Sequence, residues 1–143
     1  MIEQLTKEEK QALLELMACL ARADGRVGNL ERELLAEYAE LFHLQLADID
    51  CHCDVDSLDS LAAQFQRPAS RVIVLQELLR LAHLDGFFNK DEKSLIIHLA
   101  TLMGVPHDFL KKIDDWVLAG IEWTLQGDQL LEKASSVLIA PSE

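Results

Sequence analysis

The groups in this chain best suited to chemistry occur twice. Asp24-Gly25 is followed by Glu31, and 61 positions later Asp85-Gly86 is followed by Glu92 at the same spacing. Each aspartate stands where a helix should end, facing the negative pole of the helix dipole, which costs roughly 0.3 to 1 kcal/mol when exposed. Something must offset that cost. The carboxylate can accept N–H groups of the following loop, as aspartates in turns do. Alternatively Asp24, Glu31, Asp85 and Glu92 converge on one divalent cation (Ca²⁺, Mg²⁺ or Zn²⁺), which would cancel the repulsion among them. The two glutamates also have a plain structural role, because Gly28 precedes Glu31 and Asn89 precedes Glu92 by the three residues of a capping box.

A second cluster, Asp50-Cys51-His52-Cys53-Asp54, puts two thiols and an imidazole within three residues. Cys51, His52 and Cys53 suit a soft metal, but no further Cys/His pair completes four ligands, and a solvated acidic loop is the simpler reading. The loop does not fit a calcium-binding loop, since no glycine falls where the sharp turn needs one. Three cysteines, with Cys19 in an apolar helical stretch, do not make a disulfide framework. Reduced thiols in a cytosolic compartment are expected. No serine or cysteine stands in a strained turn with a histidine partner, and no glycine-rich phosphate loop occurs, so nothing nominates an enzyme. Trp116 and Trp123 are seven apart, sharing a helical face with Ile113 and Gly120. Core packing is the expected fate of that face; exposed, it would be the contact for a homodimer or a protein partner.

The elements that must position these residues read as helices. Across the aligned stretches 20–44 and 81–105 eight pairs are identical, which predicts two copies of a helix-loop-helix unit packed on each other. Thr6 and Glu9 form a capping box opening a helix that ends at Gly25. A second amphipathic helix runs from Leu30 to about His43. Periodicity fails from Leu44 to Asp56, a short helix spans Ser57 to about Gln66 with Pro68 ending it, and further helices cover Ser70 to His83 and Asn89 to Met103, the latter stopped by Gly104. From Pro106 a helix runs toward Trp123, bent at Gly120, with Asp128 capping a final short one. The expectation is one all-α domain over 1–143, a bundle of about six to eight helices with pseudo-twofold symmetry: repeat 1 at 6–44, acidic loop and short helix at 45–67, repeat 2 at 68–105 and C-terminal helices at 106–138.

The doubled pattern Ala-x-x-Asp-Gly-x-Val/Phe-x-x-x-Glu, from Ala21 to Glu31 and from Ala82 to Glu92, resembles the TerB-like family of tellurite-resistance proteins, roughly from Thr6 to Trp123. A related helical domain precedes the J-domain in some DnaJ-like co-chaperones. The resemblance implies a compact helical bundle with an acidic metal site at Asp24, Glu31, Asp85 and Glu92, tied to chemical stress through protein partners. The second copy departs by carrying Phe87-Phe88 where the first has Arg26-Val27, so the halves differ chemically.

Composition narrows the partners. With 25 acidic against 13 basic residues the net charge is −12, which repels a nucleic-acid backbone. No apolar run reaches the ~18 residues of a membrane span, and no signal peptide opens the chain. A non-enzymatic cytoplasmic interaction module follows, with divalent-metal binding as the alternative and a metal-assisted hydrolase a more distant one.

Overall fold

A computed structural model describes residues 2–23, 29–45, 53–84 and 88–138, the side chains of 29–31 excepted. A 3₁₀ turn at Ile2–Gln4 leads into six helices: α1 Lys7–Arg22, α2 Asn29–Leu41, α3 Val55–Ala62, α4 Pro68–His83, α5 Lys90–Leu102 and α6 His107–Val137. The described residues contain no strand, so the all-α expectation holds.

Two helices make the centre. On α1 Leu13, Leu14, Leu16, Met17 and Leu20 are fully buried, and on α4 so are Val74, Leu75 and Leu78. Helices apolar on nearly all sides must be covered on nearly all sides. Helix α1 is accordingly flanked by α2, α3, α4 and α5, and α4 by α1, α5 and α6. Each buried leucine contributes roughly 1.5 to 3 kcal/mol, so this central pair sets the stability of the whole.

Local signals explain most helix ends. Thr6 and Glu9 form the expected capping box: the Thr6 N–H donates to Glu9 Oε1 at 2.8 Å, and the Glu9 N–H to Thr6 Oγ1 at 3.1 Å. Asp54 caps α3 by accepting the Ser57 N–H at 2.9 Å. Pro68 opens α4 instead of closing α3, because its missing N–H and fixed φ suit the first helical position. Helices α1 and α4 are both 16 residues long and α2 and α5 both 13, and each bound of the second pair lies 61 positions after that of the first. The correspondence reaches the exits. Gly104 after α5 has φ +72°, and His43 after α2, 61 positions earlier, has φ +59°. In both places the next N–H reaches back to the carbonyl five residues before it, Leu44 to Ala39 and Val105 to Ala100, at 2.8 Å.

The C-terminal region differs from expectation. There is one helix of 31 residues through Gly120, Gly127 and Asp128, with no second cap. At 1.5 Å per residue it is about 46 Å long, longer than the bundle needs. A glycine costs ~1 kcal/mol in a helix without forbidding one, and the apolar 3-4 spacing continues across both glycines. Leu110, Ile113, Val117 and Ile121 pack α6 on the core, whereas from Glu122 onward almost every residue is exposed.

A clamp ties the two central helices together at one end. Arg67 donates to Glu9 Oε1 at 2.6 Å and to the Gln4 carbonyl at 2.9 Å, and the Ser70 hydroxyl donates to the Arg67 carbonyl at 3.0 Å. Burial pushes the Glu9 carboxyl up, but the Thr6 N–H, Ser70 and Arg67 outweigh it and hold the group below its ordinary 4.5.

Candidate functional site

Helix α6 carries the most conspicuous surface. Trp116 is 51% exposed and Trp123 77%, and Leu125, Leu130, Leu131, Val137 and Leu138 are exposed beside or beyond them. The core-packing expectation for the tryptophans is therefore corrected. Ile113 and Val117 occupy the buried line of the helix, and Trp116, one residue short of Val117, is rotated off it. Seven-residue spacing gave Trp116 and Trp123 a common face, but which face met the bundle depended on where α4 lay. Patches of more than a few hundred Å² of apolar surface mark interaction sites on soluble proteins.

Between α6 and the end of α4 the surface opens into a groove of about 520 Å³. Its walls include Leu34, Leu84, Trp116, Gly120, Ile121 and Trp123, with Arg80 and His83 at its edge. Arg80 is fixed by Glu77 Oε2 at 3.4 Å. His83 is oriented by Asp114 of α6, Nε2 to Oδ1 2.7 Å, and by the Phe88 ring, packed edge-on at 4.7 Å between centroids. These contacts join the last turn of α4 to α6 and so hold one wall of the groove against the other.

Behind the groove lies a polar pair that the sequence did not disclose. Glu77, 2% exposed in the middle of α4, accepts a short hydrogen bond from the Tyr38 hydroxyl of α2. Burial raises the Tyr38 hydroxyl above its ordinary 10, and the Glu77 carboxylate raises it further. The positions 61 residues removed, Leu16 and Leu99, are fully buried leucines. A glutamate within an apolar helical run was the available signal, but its partner on another helix was not legible.

The proposed metal ligands are only partly within view. Asp24 and Asp85 lie outside the described residues, as does the side chain of Glu31. Glu92 is buried and makes the expected capping box: its N–H donates to Asn89 Oδ1 at 2.8 Å, and its Oε1 accepts the Asn89 N–H at 3.4 Å. Among the described residues no three His, Cys, Asp or Glu side chains are grouped to hold a metal.

The thiols require a correction. Cys19, buried on α1, and Cys53, exposed just before α3, form a disulfide with Cα atoms 5.6 Å apart. The expectation of reduced thiols fails for this pair because the fold brings together positions 34 apart in sequence. With Cys53 in a disulfide, the Cys51, His52 and Cys53 trio lacks one thiolate; Cys51 and His52 lie outside the described residues.

Fold and site together define a small helical bundle with an apolar face on a protruding terminal helix. Residues 1–52 match the family model for tellurite resistance protein TerB, so this stretch of the chain is similar to that family. The match takes in the first Asp-Gly copy with Asp24 and Glu31 and stops short of the second, a narrower span than the Thr6 to Trp123 resemblance suggested. No curated protein matches, and no solved structure matches. No helix among the described residues is long and apolar enough to cross a membrane.

Proposed function

We propose that this chain is a non-enzymatic TerB-like interaction module of the cytoplasm, acting in a tellurite-type stress response by docking protein partners on α6. The observation that carries the reading is the exposure of Trp116 and Trp123 beside an apolar groove whose walls are held by the His83–Asp114 pair. Tryptophans at the centre of a patch are the usual anchors of protein contacts. The TerB match to residues 1–52 supports the stress-response part of the reading. The equal helix lengths and the paired positive-φ exits support an internal duplication of the α1–α2 unit as α4–α5.

The test is affinity capture from stressed and unstressed cells with wild type and a Trp116→Ser/Trp123→Ser variant. Partners retained by wild type and lost by the variant support the reading. Identical capture by both, with the variant's helix content intact, would refute it.

A further inference from the structure

The face of α6 has an internal order that specifies its occupant. Read along the helix, Trp116, Gly120, Trp123, Gly127, Leu130, Ala134 and Val137 follow one another at alternating spacings of four and three, the seam of a coiled coil. Large and small residues alternate along that seam. Trp116, Trp123, Leu130 and Val137 fill one set of positions, and Gly120, Gly127 and Ala134 fill the other.

We propose that a second copy of this chain docks antiparallel on α6, seam to seam, a conclusion that rests on the reading of α6 as a docking face. In an antiparallel pair centred between Trp123 and Gly127, each large residue meets a small one of the second copy. Trp123 faces Gly127, Leu130 faces Gly120, and Trp116 faces Ala134. Such alternation lets two helices interdigitate without voids or clashes. A parallel pair would set tryptophan on tryptophan and glycine on glycine. The symmetric arrangement closes on itself, so it makes a dimer and not a filament.

Charge and area agree. Between Trp116 and Val137 the charged residues are Glu122, Asp128, Glu132 and Lys133, all off the seam, so a chain of net charge −12 brings no carboxylate to it. The groove's lining offers Arg80 and no carboxylate, so it is not built for a basic peptide. Taking about 250 Å² for a tryptophan and about 100 Å² for a leucine or valine, the exposed fractions of Trp116, Trp123, Leu130, Leu131, Val137 and Leu138 give roughly 600 Å² per copy. About 1,200 Å² for the pair is the lower edge of what a specific interface needs, so the dimer should be reversible and concentration-dependent.

The experiment is sedimentation equilibrium of the full chain from low to several hundred micromolar, with tryptophan emission recorded in parallel. Both tryptophans of the chain lie on this face, so emission reports its burial alone. Wild type should pass from 16.1 kDa toward twice that mass, with a blue shift. In Gly127→Leu the added side chain meets nothing within 4 Å of its Cβ in the single chain, yet would collide with Trp123 of the second copy. That variant should stay at 16.1 kDa with undiminished helix content. The exchange Trp123→Gly/Gly127→Trp restores large against small only in the antiparallel register and should recover the dimer. A wild type monomeric throughout, a Gly127→Leu dimer as tight as wild type, or no recovery in the exchange variant would each overturn the proposal. The broader reading is judged separately: a monomeric wild type that still loses partners on Trp116→Ser/Trp123→Ser removes the dimer and leaves the interaction module standing.

Discussion

Replacing Tyr38 with phenylalanine deletes one oxygen and should cost far more than one exposed hydrogen bond. Glu77 is 2% exposed, and after Tyr38→Phe its carboxylate retains Arg80 at 3.4 Å, a half-exposed guanidinium. A hydrogen bond to a charged group contributes about 1.5 to 3 kcal/mol, and stripping a partner from a buried charge costs up to about 5 kcal/mol. Arg80 moderates the loss, so about 2 to 3 kcal/mol is expected. With an unfolding entropy of roughly 0.3 kcal/mol/K for 143 residues, the Tm should fall by about 7 to 10 °C. The double variant Tyr38→Leu/Glu77→Leu removes both polar partners and installs the residues found at Leu16 and Leu99. It should be close to wild type or more stable, because an apolar pair avoids desolvating a charge. The pair also fixes an alkaline response. Tyr38 is held above its ordinary 10, so the folded form binds its proton more tightly than the unfolded form does. That contribution is complete below pH 10 and is lost as pH rises above it. Tyr38 is the single tyrosine of the chain, so ultraviolet titration reads it alone, and tyrosinate should appear only with unfolding. Calorimetry of wild type, Tyr38→Leu, Glu77→Leu and the double variant completes the cycle, with Tyr38→Phe measured beside them. A Tyr38→Phe loss below about 0.5 kcal/mol, or a double variant as damaged as the two single variants added together, would refute the reasoning.

Three further outcomes follow from other parts of the molecule. Reducing the Cys19–Cys53 disulfide, or replacing both by serine, reopens a constraint over 34 residues of sequence and should cost about 3 to 4 kcal/mol on the chain-entropy model, seen as a lower Tm under reductant. Alkylation before reduction should label one of the three cysteines and afterwards all three. Because the folded Glu9 carboxyl lies below its ordinary 4.5, its contribution is present above that pH and is lost as pH falls below it; Glu9→Gln should flatten the acid limb of Tm against pH below 4.5. If the repeated Asp-Gly loops hold a divalent ion, adding Ca²⁺, Mg²⁺, Zn²⁺ or Mn²⁺ to chelator-stripped protein should raise Tm saturably in wild type but not in Asp24→Asn/Asp85→Asn, and no shift with any ion would leave both aspartates as loop-holding residues.

What the sequence determined by itself is the local part of this protein. Helix periodicity, the Thr6/Glu9 and Asn89/Glu92 capping boxes and the Gly104 exit depend on residues within four or five positions of one another, so their spacing was sufficient. The bounds of α4 and α5 follow those of α1 and α2 by 61 positions, the interval of the repeated Asp-Gly pattern. Pro68 was misread because a proline both ends one helix and begins another, and the sequence did not say which neighbour it would serve. Everything that depended on a partner far along the chain was decided by tertiary structure. Cys19 met Cys53, Tyr38 met Glu77 and His83 met Asp114 because α1 and α4 pack centrally and draw the other helices around them. The same packing chose which side of α6 faces inward. A helix with apolar residues on two adjoining lines can bury only one against a single neighbour; the line through Ile113 and Val117 met α4, and the line through Trp116 and Trp123 remained at the surface.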